Sequence, residues 1–172
     1  MESQLKGIEA LATIPQSLPD VLRTVATLFP NRIEISDNAY ATAESYAEEE
    51  PRFWSRAEGL AIAWEMVFGL ATRLYELIFE LESNRLEEEF GLSFSTFELA
   101  LSEGKQTQKD AKLMALRKLQ HDGQEFDMTP HVKYGNRSPK MLRLYYAVNR
   151  EGKKLIVGHF GDHLDNFTTK TM

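Results

Sequence analysis

The chain contains no cysteine among its 172 residues. That absence excludes a disulfide framework, thiolate nucleophiles and thiolate zinc sites together, and it fits a reducing compartment, expected here to be the cytoplasm. Long apolar runs are missing as well. The most hydrophobic segment holds a seven-residue uncharged stretch, Met66 to Thr72, bracketed by Glu65 and Arg73, against the roughly 20 residues that a membrane span needs. Met1 to Ala10 carries Glu2, Lys6 and Glu9, so no apolar signal core is expected there. No P-loop, dinucleotide fingerprint, nucleophile elbow or kinase motif occurs, which removes the usual support for nucleotide hydrolysis and hydride transfer. The sequence also has no internal repeat and no low-complexity segment.

What is present has an ordinary globular balance, with 42% hydrophobic and 27% charged residues, and the length suffices for one core without covalent staples. The net charge of -6 conceals its distribution. Residues 1–100 hold 7 Lys and Arg against 18 Asp and Glu, whereas residues 101–172 hold 13 against 8, so the two parts carry -11 and +5. All four histidines lie in the second part. The expectation is an acidic helical region over 1–90 and a basic antiparallel-sheet region over 91–172, forming one folding unit of α+β class. Such asymmetry points to an anionic partner for the basic part or to docking of one part on the other, with a merely solvated acidic helix surface as the plain alternative.

Ser17 followed by Pro19, Asp20 and an apolar series to Phe29 predicts a capped helix stopping at Pro30–Asn31. A brief strand over Arg32 to Ser36 and a second helix from Ser36–Asp37 to about Ala47 follow. From Pro51 to about Ser83, Leu60, Ala63, Val67, Leu70, Leu74, Leu77 and Leu81 form one stripe at helical spacing. Ala57, Ala61, Trp64, Phe68, Ala71, Tyr75 and Ile78 form a second stripe beside it. A helix apolar around so much of its circumference needs burial on two sides, at the domain centre or in a dimer seam. Running roughly 45 Å at 1.5 Å per residue, it is the expected long central helix. A strand into Leu101 and a basic amphipathic helix over Thr107 to Gln120, which includes Arg117, complete the middle of the chain.

From Phe126 the apolar period becomes two. Phe126, Met128, Pro130, Val132 and Tyr134 alternate with Asp127, Thr129, His131 and Lys133, which predicts a half-buried strand with an edge or bulge at Pro130. Leu142, Leu144, Tyr146 and Val148 alternate with Arg143, Tyr145 and Ala147 in the next strand, and Asn149 to Gly152 returns the chain into Lys154 to His159. If the apolar faces share one core, Asp127, Thr129, His131, Lys133, Arg143 and Tyr145 share the opposite surface, either as a site or as a solvated outer face. In Gly158 to Leu164, His159, Asp162 and His163 offer two imidazoles and a carboxylate, with His131 the nearest third ligand. The glycines favour a turn there, and no metal and no cofactor are assigned.

Met141 to Val148, a short hairpin, and Leu155 to His159 resemble the final strands of the RelE/ParE superfamily of bacterial toxins. The resemblance covers about 30 residues, with Phe160 standing where that family has Arg after Gly-His. It implies a small antiparallel sheet flanked by helices and, for its ribonuclease branch, cations holding the cleaved phosphate while Tyr, His or Glu moves protons. Residue by residue it reaches Arg143, Tyr145 and His159; Lys133 and Arg137 join by chemistry alone. The string from Thr107 to Leu164 also resembles an uncharacterised bacterial family, which implies no activity.

Two functions are therefore expected. The first is a non-catalytic interaction or oligomerisation subunit, with a homodimer or protein partner received by the helix 51–83 and a basic sheet facing an anionic partner. The alternative is a RelE-like protein that binds or cleaves RNA or another phosphate-bearing ligand by general acid–base chemistry. Its catalytic candidates are His131, Lys133, Arg143, Tyr145 and His159, and its substrate-binding candidates are Lys133, Arg137, Arg143, Arg117 and His163. No membrane partner is expected.

Overall fold

A computed structural model describes residues 14–171; the expectation about a signal core at residues 1–10 lies outside them. Ser17 accepts a hydrogen bond from the Asp20 amide at 3.2 Å and starts α1, Leu18–Leu28, with Pro19 in its first turn. After β1, Ile33–Ile35, Ser36 caps α2, Asp37–Glu49, by accepting from the Ala39 amide at 3.1 Å.

The expected continuous helix over 51–83 is broken once and rewound once. A short α3, Pro51–Trp54, ends at Ser55–Arg56, and α4, Ala57–Gly69, then continues without interruption into two π-helical turns, Leu70–Leu74 and Glu76–Glu80. The π winding decides which stripe is buried. Leu70, Ala71, Leu74, Tyr75, Leu77 and Ile78 come from both stripes, and all are buried. Along the α-helical part Gly59, Ala63, Met66, Val67 and Gly69 are buried, while Ala57 and Ala61 are exposed, as is Phe68. Leu81, expected in the first stripe, is 62% exposed where the winding ends.

Beyond α5, Leu86–Ser93, and β2, Glu98–Ala100, the structure departs from the expected basic helix over 107–120. It forms two short helices, α6, Lys105–Gln108, and α7, Ala111–Ala115, because Asp110 caps the second by accepting from the Lys112 and Leu113 amides. Residues from Lys118 then pair as β3, Lys118–His121, with β4, Gln124–Asp127, around the Asp122–Gly123 turn. The single strand expected from Phe126 is likewise two strands. Met128 still donates to Arg117 O at 2.8 Å beside the hairpin, Pro130 has no N–H to continue a ladder, and β5 begins at His131.

β5, His131–Arg137, β6, Lys140–Asn149, and β7, Lys154–Gly161, are antiparallel neighbours. The expected antiparallel sheet is in fact mixed and five-stranded, in the order β1-β7-β6-β5-β2, because β1 pairs parallel to β7. One apolar core, with residues from both sides of position 90, lies between the first face of this sheet and the helices; Leu142, Leu144, Tyr146, Leu155, Val157 and Phe160 contribute to it. Leu119, Met128, Tyr145, Ala147 and Ile156 form a second, smaller cluster on the opposite face, under the β3–β4 hairpin.

The register between β6 and β7 slips at Gly158, since Tyr145 opposes His159 while Tyr146 opposes Val157. This bulge carries an extra residue, so His159 keeps the face of Tyr145 and Phe160 returns to the first core. Gly158 has no side chain to spare, because a Cβ there would sit 2.4 Å from Met128 Sδ and 3.0 Å from a Leu119 methyl. β1 pairs only as far as Val157, and α2 takes over the exposed backbone: Asn38 donates to Gly158 O at 2.7 Å, and Phe160 N–H donates to Thr42 Oγ1 at 3.0 Å.

A second irregularity, between Tyr134 and Arg137 in β5, depends on Gly135 at φ +68°, where a Cβ would meet Lys140 O at 1.8 Å. Gly135→Ala is expected to cost about 3 kcal/mol, because it forces both a left-handed φ and a backbone clash. Guanidinium unfolding measures it, and a loss under about 1 kcal/mol would contradict this account of the bulge.

Candidate functional site

The strand alternation does bring the central candidates together. His131 opposes Tyr145, Lys133 opposes Arg143, and Tyr145 opposes His159, so three strands deliver a row of rings to one face. The His131 and Tyr145 rings stack with centroids 4.5 Å apart, and His159 meets Tyr145 edge-on at 5.5 Å. This face is not open to solvent. Relative exposure is 5% for His131, 2% for Tyr145 and 7% for His159.

The cover comes from Arg117, immediately before β3 and itself fully buried. Its guanidinium lies 5.9 Å from the Tyr145 ring centroid. Its Nη1 donates to Leu113 O at 2.8 Å and to Asp165 O at 2.6 Å, and its Nε donates to Glu103 Oε1 at 3.1 Å. Nη2 is buried and has no hydrogen-bond partner among the described residues. Glu103 is a site residue that the sequence pattern did not single out. It follows β2, and its Oε1 stands 3.8 Å from His131 Nδ1. A lone acid in a Ser-Glu-Gly loop carries no periodic signal. Only the pairing of Ala100 with His131 brings it here.

The imidazoles are held as neutral, oriented groups. His131 Nδ1–H donates to Thr129 O at 2.8 Å, leaving Nε2 without a proton, and His159 Nε2–H donates to Asp162 O at 2.5 Å. Burial lowers both imidazoles from their ordinary value and outweighs the Thr129 and Asp162 carbonyls, which act the other way. Burial also raises the Tyr145 phenol. Thr129 is fixed in turn, its amide and hydroxyl both donating to Asp127 Oδ1 at 2.8 and 2.5 Å.

The remaining candidates are separated from this row or already engaged. Lys133 Nζ pairs with Glu98 Oε1 at 3.2 Å across the β2–β5 ladder. Arg143 Nη1 donates to the carbonyls of Tyr134, Gly135 and Leu142 at 2.9–3.1 Å, clamping the β5 bulge, and burial lowers the guanidinium from its ordinary value. Arg137 is exposed at the tip of the β5–β6 hairpin, away from the rings. His163 is half-buried with Nε2 3.7 Å from Asp162 Oδ1, so His159 and His163 both meet Asp162, through its carbonyl and its carboxylate, while His131 meets Thr129. A pocket of about 540 Å³ is lined by Glu103, Asp127 and Thr129 together with Leu101, Met114 and Val148, and by none of the three rings. A general base needs a lone pair that substrate can reach. Here the arrangement instead fixes two neutral imidazoles, a phenol and one guanidinium–carboxylate pair in a layer closed to water.

Comparison with family models, curated proteins and solved structures returns no match to this chain. Among the described residues, no helix is long and apolar enough to cross a membrane.

The two lowered imidazoles give a signed pH dependence. Below the ordinary histidine value of 6.5 the unfolded chain takes up protons that the folded chain resists, so this contribution to stability is lost as pH falls from there. Between pH 6.5 and 5.5 each histidine is expected to lower stability, by no more than about 1.4 kcal/mol per pH unit. Denaturant unfolding across this range should show a flatter pH slope for His131→Gln and His159→Gln than for the wild type; equal slopes would refute it.

Proposed function

We propose that the chain is a non-catalytic interaction subunit of a bacterial cytoplasmic system, and that it self-associates through the α-helical part of its long helix. The carrying observation is the apolar surface of α4. Trp64 and Phe68 stack with centroids 6.2 Å apart, Phe29 meets Phe68 edge-on at 5.7 Å, and Phe68 remains 36% exposed. Beside them a groove of about 410 Å³ is lined by Ala57, Leu60, Ala61, Trp64 and the chain at Ile14–Gln16.

Spacing supports a second copy as the occupant. Ala57, Ala61, Trp64 and Phe68 stand at i, i+4, i+7 and i+11, so they share one helix face with its small residues at one end and its large ones at the other. Two such helices packed antiparallel about a twofold axis place the aromatic pair of each against the alanine pair of its partner, which is the self-complementarity a symmetric dimer needs. Contiguous exposed apolar surface marks interaction sites, and here Ala57, Ala61 and Phe68 are exposed beside the half-buried Trp64.

The RNA reading finds less support, since Lys133 pairs with Glu98, Arg143 clamps backbone carbonyls and Arg117 is buried against Glu103. Total RNA incubated with the protein is expected to remain intact, as gel analysis would show. For the dimer, sedimentation velocity should give a two-chain species that dissociates on Trp64→Glu or Phe68→Glu, with an unchanged circular dichroism spectrum. A wild-type monomer over a broad micromolar range would overturn the proposal, as would a dimer indifferent to both substitutions.

A further inference from the structure

At the edge of the sheet, away from the ring layer, three metal-ligating side chains converge. Glu34 is the middle residue of β1 and opposes Ile156, a member of the second apolar cluster, so the register puts it on the face where the β3–β4 hairpin lies. His121 ends β3, and Asp122 takes the left-handed φ of +51° that the two-residue turn requires. The turn thereby reaches β1 across 87 residues of sequence. His121 Nε2 lies 2.9 Å from Glu34 Oε2 and 3.5 Å from Asp122 Oδ2, and the three donor atoms all fall within 4.8 Å of one another.

We propose that Glu34, His121 and Asp122 bind a divalent first-row metal ion of the zinc class. A tetrahedral ion with ligand bonds of 2.0–2.1 Å has ligand–ligand edges of roughly 3.3 Å, and the observed separations of 2.9 and 3.5 Å lie on either side of that value. Two carboxylates offset the charge of a divalent cation, with the Lys154 ammonium adding one positive charge beside the site. One nitrogen with carboxylate oxygens suits zinc and its neighbours, whereas calcium and magnesium prefer oxygen alone. Lys154 Nζ binds the other Glu34 oxygen, Oε1, at 3.0 Å, which orients the carboxylate and leaves Oε2 facing the imidazole. Metal entry takes the place of the His121–Glu34 hydrogen bond, and three protein ligands leave a fourth position for water. The ion would also fasten the β3–β4 hairpin to β1.

The test uses the full chain, stripped with chelator and titrated with zinc by calorimetry and with cobalt(II) by visible absorption. One equivalent per chain is expected, with a cobalt d–d band and a zinc-dependent rise in Tm. His121→Ala and Asp122→Asn should each weaken binding roughly tenfold or more and remove the Tm response. Asp122 is 84% exposed, so its variant tests the site without threatening the fold. His163→Ala, altering an imidazole elsewhere, should leave both readouts as in the wild type. The proposal fails if no stoichiometric binding occurs, if Asp122→Asn and His121→Ala bind as tightly as the wild type, or if the loss follows His163→Ala instead.

Discussion

The buried charge pair of Arg117 and Glu103 is the interaction on which the second face of the sheet depends. Taking a guanidinium out of water is tolerable only when its donors are met, and breaking such a pair typically costs about 3–5 kcal/mol. Arg117 meets this demand at Nε and Nη1, with Glu103 after β2, Leu113 in α7 and Asp165 near the C-terminus, but not at Nη2. Those partners come from three separate stretches of chain. The same ion pair therefore draws the α7–β3 junction, the segment after β2 and the C-terminal tail together over Tyr145. Once they are closed, His131 and His159 lie inside a low-dielectric layer, where neutral imidazoles bonded to carbonyl groups are the stable form.

This closure separates what alternation in a strand can reveal from what it cannot. Leu142, Leu144 and Tyr146 against Arg143, Tyr145 and Ala147 was legible, and so was the sharing of one face by His131, Lys133, Arg143 and Tyr145. Period two says which side chains share a face. It is silent about what covers that face, because the cover comes from residues distant in sequence, with Glu103 and Asp165 the clearest cases. The bulge at Gly158 was hidden for a related reason: strict alternation from Leu155 would put His159 on the first face, and only the extra residue returns it to the second. The helix expected over 107–120 failed on length. Lys118 to His121 is too short for its period to compete with the helical spacing before it, and the Asp122–Gly123 turn reads equally well as a helix end.

The long helix shows how winding allocates one apolar pattern to two roles. With i→i+5 hydrogen bonds, as from Leu81 N–H to Glu76 O at 2.8 Å, each turn holds more residues and neighbouring positions of both stripes face inward. Arg32 lies along this segment, with its guanidinium 4.9 Å from the Tyr75 ring centroid and its nitrogens 3.7 and 3.6 Å from Glu76 and Glu80. The α-wound part before Gly69 has no such broad buried face. Its first stripe meets α1 and the core, and its second remains at the surface around Trp64 and Phe68. The two-sided burial required by the sequence is thus met within the chain for one half of the helix and left unmet for the other.

The charge asymmetry between the two ends of the sequence resolves in a similar way. Cations of the second part meet acids of the first: Lys133 pairs with Glu98, and Lys154 with Glu34. Others of its cations serve the backbone, as Arg143 does at the β5 bulge. A basic surface inferred from composition is therefore partly consumed in holding the sheet and its cover together. Among the features that face outward in the described residues, one is apolar, on α4, and one is ligand-bearing, at the β1 edge. They lie on different elements and use different chemistry, so occupation of one has no stereochemical reason to require occupation of the other. That independence makes their functional consequences separable by single substitutions in a chain whose core both leave intact.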